Sequence, residues 1–355
     1  MNVLPFDRKV HVLTALVEGN SIRATGRICE VNRETVMHLG VDAGEACRRL
    51  HDALVVGIQV GVLEVDEIWS FIAKKHRRLR TDDNPDFGDC YTFLGLDANR
   101  KAIISYVVGK RDGAHAIAFC RDLRARILNR PQITSDGFAP YVDAVRRAFG
   151  DAVDYAQILK TYGTATDANR DRRYGPHRCT SSVKVPIAGA PARENISTSY
   201  VERLNLTLRM SAKRFARLSL GFSKKLRNHA AAVALNAAHY NFCRVHESLR
   251  VTPMMALGVT NHVWSVAELL DVALSYPPVP AEAPSFDPGQ VACPADLPAI
   301  VPALPGPQEA PESSPNAPVR LPEGRLAHAV AMVHQLSLFP ESEAEASVPA
   351  RHKPR

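Results

Sequence analysis

Chemistry is most visible in this chain where carboxylates interrupt an apolar, β-branched run, Val62-Leu63-Glu64-Val65-Asp66-Glu67-Ile68-Trp69-Ser70-Phe71. Strand propensity and the cost of burying charge both argue against acids there, so a carboxylate kept in such a run implies metal or proton chemistry. Two further acids match it. Asp136 closes the stretch Ile133-Thr134-Ser135-Asp136-Gly137, and Glu202 lies in the basic amphipathic segment Tyr200-Val201-Glu202-Arg203-Leu204-Asn205. Three carboxylates from separate elements repel one another unless cations lie between them, and hard divalent cations about 4 Å apart take oxygen ligands. Such a pair can activate an oxygen nucleophile, stabilise charge on a scissile phosphate and hold a leaving oxygen. Glu64 shares a strand face with Asp66, Glu67 points the other way, and Asp97 ends the next apolar run; these acids stand as alternative ligands.

The elements that must position these acids follow from periodicity. Extended patterns near residues 58–71, 91–97, 101–108, 132–135 and 152–156 alternate, after the third, with helical patterns at 113–129 and 139–149. Residues 157–196, rich in Gly, Pro, Arg and Thr, predict a long connecting loop. Helical spacing returns at Ser199, with Val201, Leu204 and Leu208 as a core stripe and Glu202, Asn205 and Arg209 on the adjacent face. A core helix over 226–246 and a helical stretch at 263–274 complete a catalytic domain spanning 56–275. The order βββαβαβα predicts an α/β fold built on a mixed sheet with crossover helices.

Residues 1–55 predict a separate helical domain. Phe6 to Val17 reads as one helix, Ser21 caps a second carrying Ile22, Thr25 and Ile28, and Asn32 caps a third with Thr35, Val36 and Leu39. Helix, short turn, helix, with apolar residues at 28, 31 and 36, is the helix-turn-helix layout, which puts Asn32, Arg33 and Thr35 at the start of a recognition helix. An ordinary helical cap is the competing reading. Asp42 with Glu45 reads as the start of a further helix through Leu54.

A net charge of +7 and a pI near 9.1 fit a polyanionic partner, nucleic acid first. Basic residues gather at Lys74, Lys75, Arg77 and Arg78 beside the first acid-bearing strand. They gather again at Arg209, Lys213 and Arg214, with the polar Asn205 on the same helical face as Arg209 and no acid between Glu202 and Glu247; all four are candidates for DNA contact. The seven cysteines form no CxxC pair, which argues against a disulfide framework or zinc ribbon. No signal peptide or membrane-spanning run is legible, and a cytoplasmic protein is expected. Residues 276–355 are Pro-rich and expected to be disordered, with one apolar island ending in Gln335-Leu336-Ser337-Leu338-Phe339.

Four segments together resemble the DDE transposases of the insertion-sequence-one type, over about residues 7–258. They are Val65-Asp66-Glu67-Ile68-Trp69-Ser70-Phe71, Thr134 to Tyr141, the long stretch Ile196 to Met210, and Tyr240 to Arg250 with Thr252-Pro253. The resemblance implies a ribonuclease-H-like catalytic fold in which Asp66, Asp136 and Glu202 form the DDE triad and hold two Mg²⁺ ions, with Mn²⁺ able to substitute. It implies cutting of the element's ends and attack of the freed 3′-hydroxyl on target DNA. The partners would be double-stranded DNA, both terminal repeats and target, and a second copy of the chain on DNA. A bacterial, nucleoid-associated location follows. A cysteine zinc finger, frequent ahead of the helix-turn-helix in that family, has no counterpart among these cysteines. Gln335, Leu336, Leu338 and Phe339 look like the motif by which bacterial proteins dock on the DNA sliding clamp. A nuclease that does not join ends and a non-catalytic regulator derived from such an element are the alternatives.

Overall fold

Side-chain caps set where the second and third helices of the fold begin. In the computed structural model, which describes residues 4–162, 179–216 and 219–276, α1 (Phe6–Val17) is followed by α2 (Ile22–Ile28). The Ser21 side chain accepts from the Ala24 amide at the head of α2, and Asn32 does the same for Glu34 at the head of α3 (Arg33–Leu54). A Cβ on Gly26 would stand 2.9 Å from the Val31 carbonyl oxygen, so a side chain there would force apart the turn joining α2 and α3. Ile28, expected among the apolar residues of this unit, is instead 64% exposed.

α3 is one continuous helix, which corrects the expectation of a break at Asp42 and Glu45. Both acids lie on the outer side of the helix, while the apolar stripe of Val36, Val41, Ala46 and Leu50 is buried past them, and continuous packing with helical hydrogen bonding outweighs a local cap signal. The helix meets α7 (Leu226–Ala238) backbone to backbone: a Cβ on Gly44 would stand 2.0 Å from the Ala231 carbonyl oxygen.

The sheet runs in the order β3-β2-β1-β4-β5-β6. β1 (Val62–Ile72), β2 (Gly88–Asp97) and β3 (Ile103–Gly109) form an antiparallel meander. α4 (Gly113–Arg126) crosses over to β4 (Gln132–Asp136), and α5 (Pro140–Phe149) to β5 (Asp154–Tyr162), both parallel to β1. β6 (Cys179–Ala188) then returns antiparallel to β5. The loop expected over 157–196 is therefore wrong at both ends: β5 continues to Tyr162 and most of its far side is a strand. β6 is exposed along nearly all its length: its short alternating run of Val183, Val185 and Ile187 is set in Ser, Thr and Pro and is left largely in solvent, a weak signal beside the Gly, Pro, Arg and Thr around it.

The two sheet faces bury different helices. Leu63, Val65 and Phe93 pack with Phe119 of α4 and Tyr141 of α5. Ile68, Leu94 and Ile103 pack with Val201, Leu204 and Leu208 of α6 (Ser199–Ser211) and Val233 and Ala237 of α7. The helix expected to reach 246 leaves α geometry after Ala238 for a π turn over His239–Cys243, followed by α8 (Pro253–Ala256) and α9 (Val266–Ser275). Among the described residues no helix is long and apolar enough to cross a membrane.

Candidate active site

Parallel pairing of β1 with β4 brings the first two acids together. The ladder ends at the pair Val65↔Ser135, and Asp66 and Asp136 are the next residues on each strand. β4 stops there while β1 continues to Ile72, which opens a notch beside β1. Strand alternation sends Asp66 and Glu67 to opposite faces, yet with β4 gone both turn into the notch. Carboxylate oxygens of Asp66, Glu67 and Asp136 all lie within 4.8 Å of one another. Burial, and then the charges of Asp136, Glu67 and Glu202, push the Asp66 carboxyl up to about 7.

The third acid arrives on α6, and a buried carboxylate sets where that helix begins. Glu64 is 1% exposed, and one of its oxygens accepts from the backbone amides of Tyr200 at 2.8 Å and Val201 at 2.9 Å. Amides of the first turn have no partner within a helix, so an anion from β1 takes the place of a cap and fixes α6 to the sheet. Burial raises the Glu64 pKa, and those two amides draw it back. One turn on, Asn205 donates from Nδ2 to Asp66 at 2.8 Å, which joins α6 directly to the acid cluster. Glu202 turns to Lys160 of β5 and Thr198, whose hydroxyl donates to the same oxygen at 2.9 Å. The structure thus gathers Asp66 and Asp136 with Glu67, one of the alternative ligands, although alternation pointed it the other way, and holds Glu202 on the Lys160 side of the notch.

Two cations at the notch were not legible in sequence. Arg111, just past β3, donates to Glu67 at 2.9 Å and to Asp136 at 3.4 Å, with its guanidinium carbon 4.0 Å from the Phe138 ring centroid. Lys160 stands in a stretch expected to be loop. Neither lies at a spacing that ties it to the acids, since the meander brings the end of β3, and the crossovers bring β5, to the end of the β1–β4 ladder. Asp97, weighed as an alternative ligand, is buried and serves the β2–β3 turn, accepting from the amides of Asn99 and Arg100.

The other sequence-predicted residues divide by environment. Asn205 is buried at the acids rather than facing outward, and Arg214 donates to Ser223 at 2.9 Å and is held down to about 10 by burial. Lys74 is paired with Asp83 at 2.6 Å, whereas Lys75, Arg77, Arg78 and Lys213 are exposed and Arg209 is half-buried. Asn32, Arg33 and Thr35 are exposed at the head of α3, where Arg33 joins Arg23 and Arg27 around a shallow cavity of about 370 Å³. Gln335, Leu336, Leu338 and Phe339 lie outside the described residues.

The donor set fits a hard divalent cation. All of the clustered ligands are carboxylate oxygens, and the cation would relieve the repulsion that raises Asp66. Asn205 Oδ1, buried without a hydrogen-bond partner, adds a neutral oxygen beside them. No protein-family model matches the chain, and no curated protein matches it. Among solved structures the chain is similar to piggyBac transposase in a synaptic complex with hairpin DNA, at 11% identity and a TM-score of 0.28. The match covers 74% of this chain and 58% of that one.

Proposed function

We propose that this chain is a DDE-type DNA transposase of the insertion-sequence-one kind, with a ribonuclease-H-like core that cuts the ends of an element and joins them to target DNA. The observation that carries the reading is the side-by-side placement of Asp66 and Asp136 at the end of the β1–β4 ladder; Glu202, on the helix fixed through Glu64, is near enough for its charge to act on Asp66. The sheet order β3-β2-β1-β4-β5, antiparallel on one side of β1 and parallel on the other, supports the ribonuclease-H-like assignment.

Asp66, Asp136 and Glu202 would hold two Mg²⁺ ions, for which Mn²⁺ would substitute, with Glu67 and Asn205 as neighbouring oxygen donors. When bound, those ions supply charge stabilisation at the scissile phosphate and activation of the attacking oxygen. The chain's own residues do the positioning. Glu64 and Asn205 keep α6 in register with β1, Arg111 restrains Glu67 and Asp136, and Lys160 with Thr198 restrains Glu202. The head of α3, with Asn32, Arg33 and Thr35, would read the terminal repeat as the second helix of a helix-turn-helix. Joining two ends requires them to be held together, so the working form would be an oligomer on DNA.

The test is strand transfer in Mg²⁺ from a labelled fragment bearing the element's own terminal repeat, comparing the parent chain with Glu202→Gln. Joined product from the parent, with a variant that binds equally and yields none, supports the reading. Ends that are cut and never joined indicate a nuclease. Equal binding with no reaction from either protein, in Mg²⁺ or Mn²⁺, indicates a non-catalytic regulator.

A further inference from the structure

Beyond Glu67 the same face of β1 carries Trp69 and Phe71, because alternate residues of a strand share a side. The helices covering this face do not reach that far: Phe93 is sealed by Phe119 and Tyr141, whereas Trp69 and Phe71 stay half-exposed. Tyr91 stands opposite Trp69 in the β1–β2 register. The rings form a continuous strip, with Trp69 and Phe71 centroids 5.8 Å apart and Phe71 stacked on Phe222 at 4.8 Å. Cations lie beside the strip. Lys75 Nζ lies 5.9 Å from the Trp69 and the Phe71 centroids, and Arg111, which grips Glu67, sits 6.0 Å from the Tyr91 centroid.

We infer that this strip is a platform on which unpaired bases of a DNA strand stack when the neighbouring phosphate lies at the acid notch. The inference rests on the reading proposed above and specifies the state of the DNA that the site takes. Aromatic faces accept any base, and cations beside them meet the backbone, which is the combination that binds single strands. Beside the rings the exposed Lys75, Arg77 and Arg78 outnumber Asp89, which stands opposite Phe71 in the β1–β2 register, and that balance favours a polyanion over a protein segment. Spacing fits as well. At about 3.3 Å per residue, Trp69 lies roughly 7 Å along β1 from Glu67 and Phe71 about twice that. A DNA strand advances about 3.4 Å per nucleotide, so the rings face the first few nucleotides beyond the phosphate. Paired bases expose only their edges to a flat sheet, whereas unpaired bases can lie face to face with the rings.

Binding of the full chain without divalent cations, in EDTA, tests this apart from catalysis. Two DNA fragments of identical sequence are compared, one fully paired and one with four unpaired nucleotides next to the end, each with 2-aminopurine at successive positions. Affinity should be about tenfold higher for the unpaired fragment, with 2-aminopurine quenched at the positions adjacent to the end. Trp69→Leu should remove that preference and the quenching while leaving affinity for the paired fragment within about twofold. If that variant fails to fold, Trp69 fluorescence in a Trp264→Phe background reports directly, and it should be quenched by the unpaired fragment alone. Equal affinity for both fragments with no quenching overturns the platform and leaves the transposase reading in place. Failure to bind either fragment overturns both.

Discussion

Asp66→Asn in protein stripped of divalent cations isolates the electrostatic cost of the acid notch. An unfolded Asp ionises near 3.9, whereas burial and three neighbouring acids hold the folded carboxyl to about 7. Because the folded pKa is the higher one, the folded state binds more protons between these values, and stability must fall as pH rises from about 4 to 7. The penalty is absent below the unfolded pKa and complete above the folded one. From about 3.9 to about 7 is a thousandfold difference in proton affinity, or about 4 kcal/mol. Water and counter-ions at the mouth of the notch reduce this to about 2–3 kcal/mol. For a folded region of this size that corresponds to roughly 5–10 °C in melting temperature. Thermal melts in EDTA from pH 4.5 to 8.5 should show the parent losing stability across that window and Asp66→Asn losing much less. The two curves should converge at the acid end. Mg²⁺ added at pH 8 should raise the parent's melting temperature more than the variant's, since the ion replaces the proton. Parallel curves for the two proteins, with equal Mg²⁺ responses, would refute the account of a strained acid cluster.

Other substitutions test the frame around the notch. Glu64→Ala leaves two amides at the buried start of α6 without their acceptor; it should cost about 3 kcal/mol by denaturant titration and lower strand transfer as well. Gly44→Ala drives a methyl into the Ala231 carbonyl and should destabilise by about 2–3 kcal/mol, whereas Gly113→Ala, which meets nothing within 4 Å, should be nearly neutral in the same melts. Arg126 of α4 is ion-paired to Asp122 at 2.8 Å and to the solvent-exposed Asp52 of α3 at 2.6 Å, so Arg126→Ala leaves the half-buried Asp122 without its cation and should cost about 1.5–3 kcal/mol.

Local signals were sufficient wherever a residue acts through its own neighbours in sequence. Ser21 and Asn32 cap the helices they precede, the change of period near Val55 announces the sheet, and the meander followed by two crossover units is legible as strand and helix spacing. Acids in an apolar run also announced where to look on β1. The same local reasoning failed where long-range packing decided the outcome: α3 runs through a capping signal, and β6, whose alternation is confined to Val183, Val185 and Ile187, is a strand because it pairs with β5 rather than because it is buried. Which carboxylates meet could not be read from spacing at all. Asp66 and Asp136 approach because a crossover lays β4 parallel to β1 and ends it at that residue, and the early end of β4 lets Glu67 turn into a space that alternation denies it. Arg111, Lys160 and Asn205 reach the notch from three other elements, and Glu64, indistinguishable in sequence from a ligand, instead anchors a helix. Residue types and periods are properties of the chain, while distances between charges exist only once the sheet has closed.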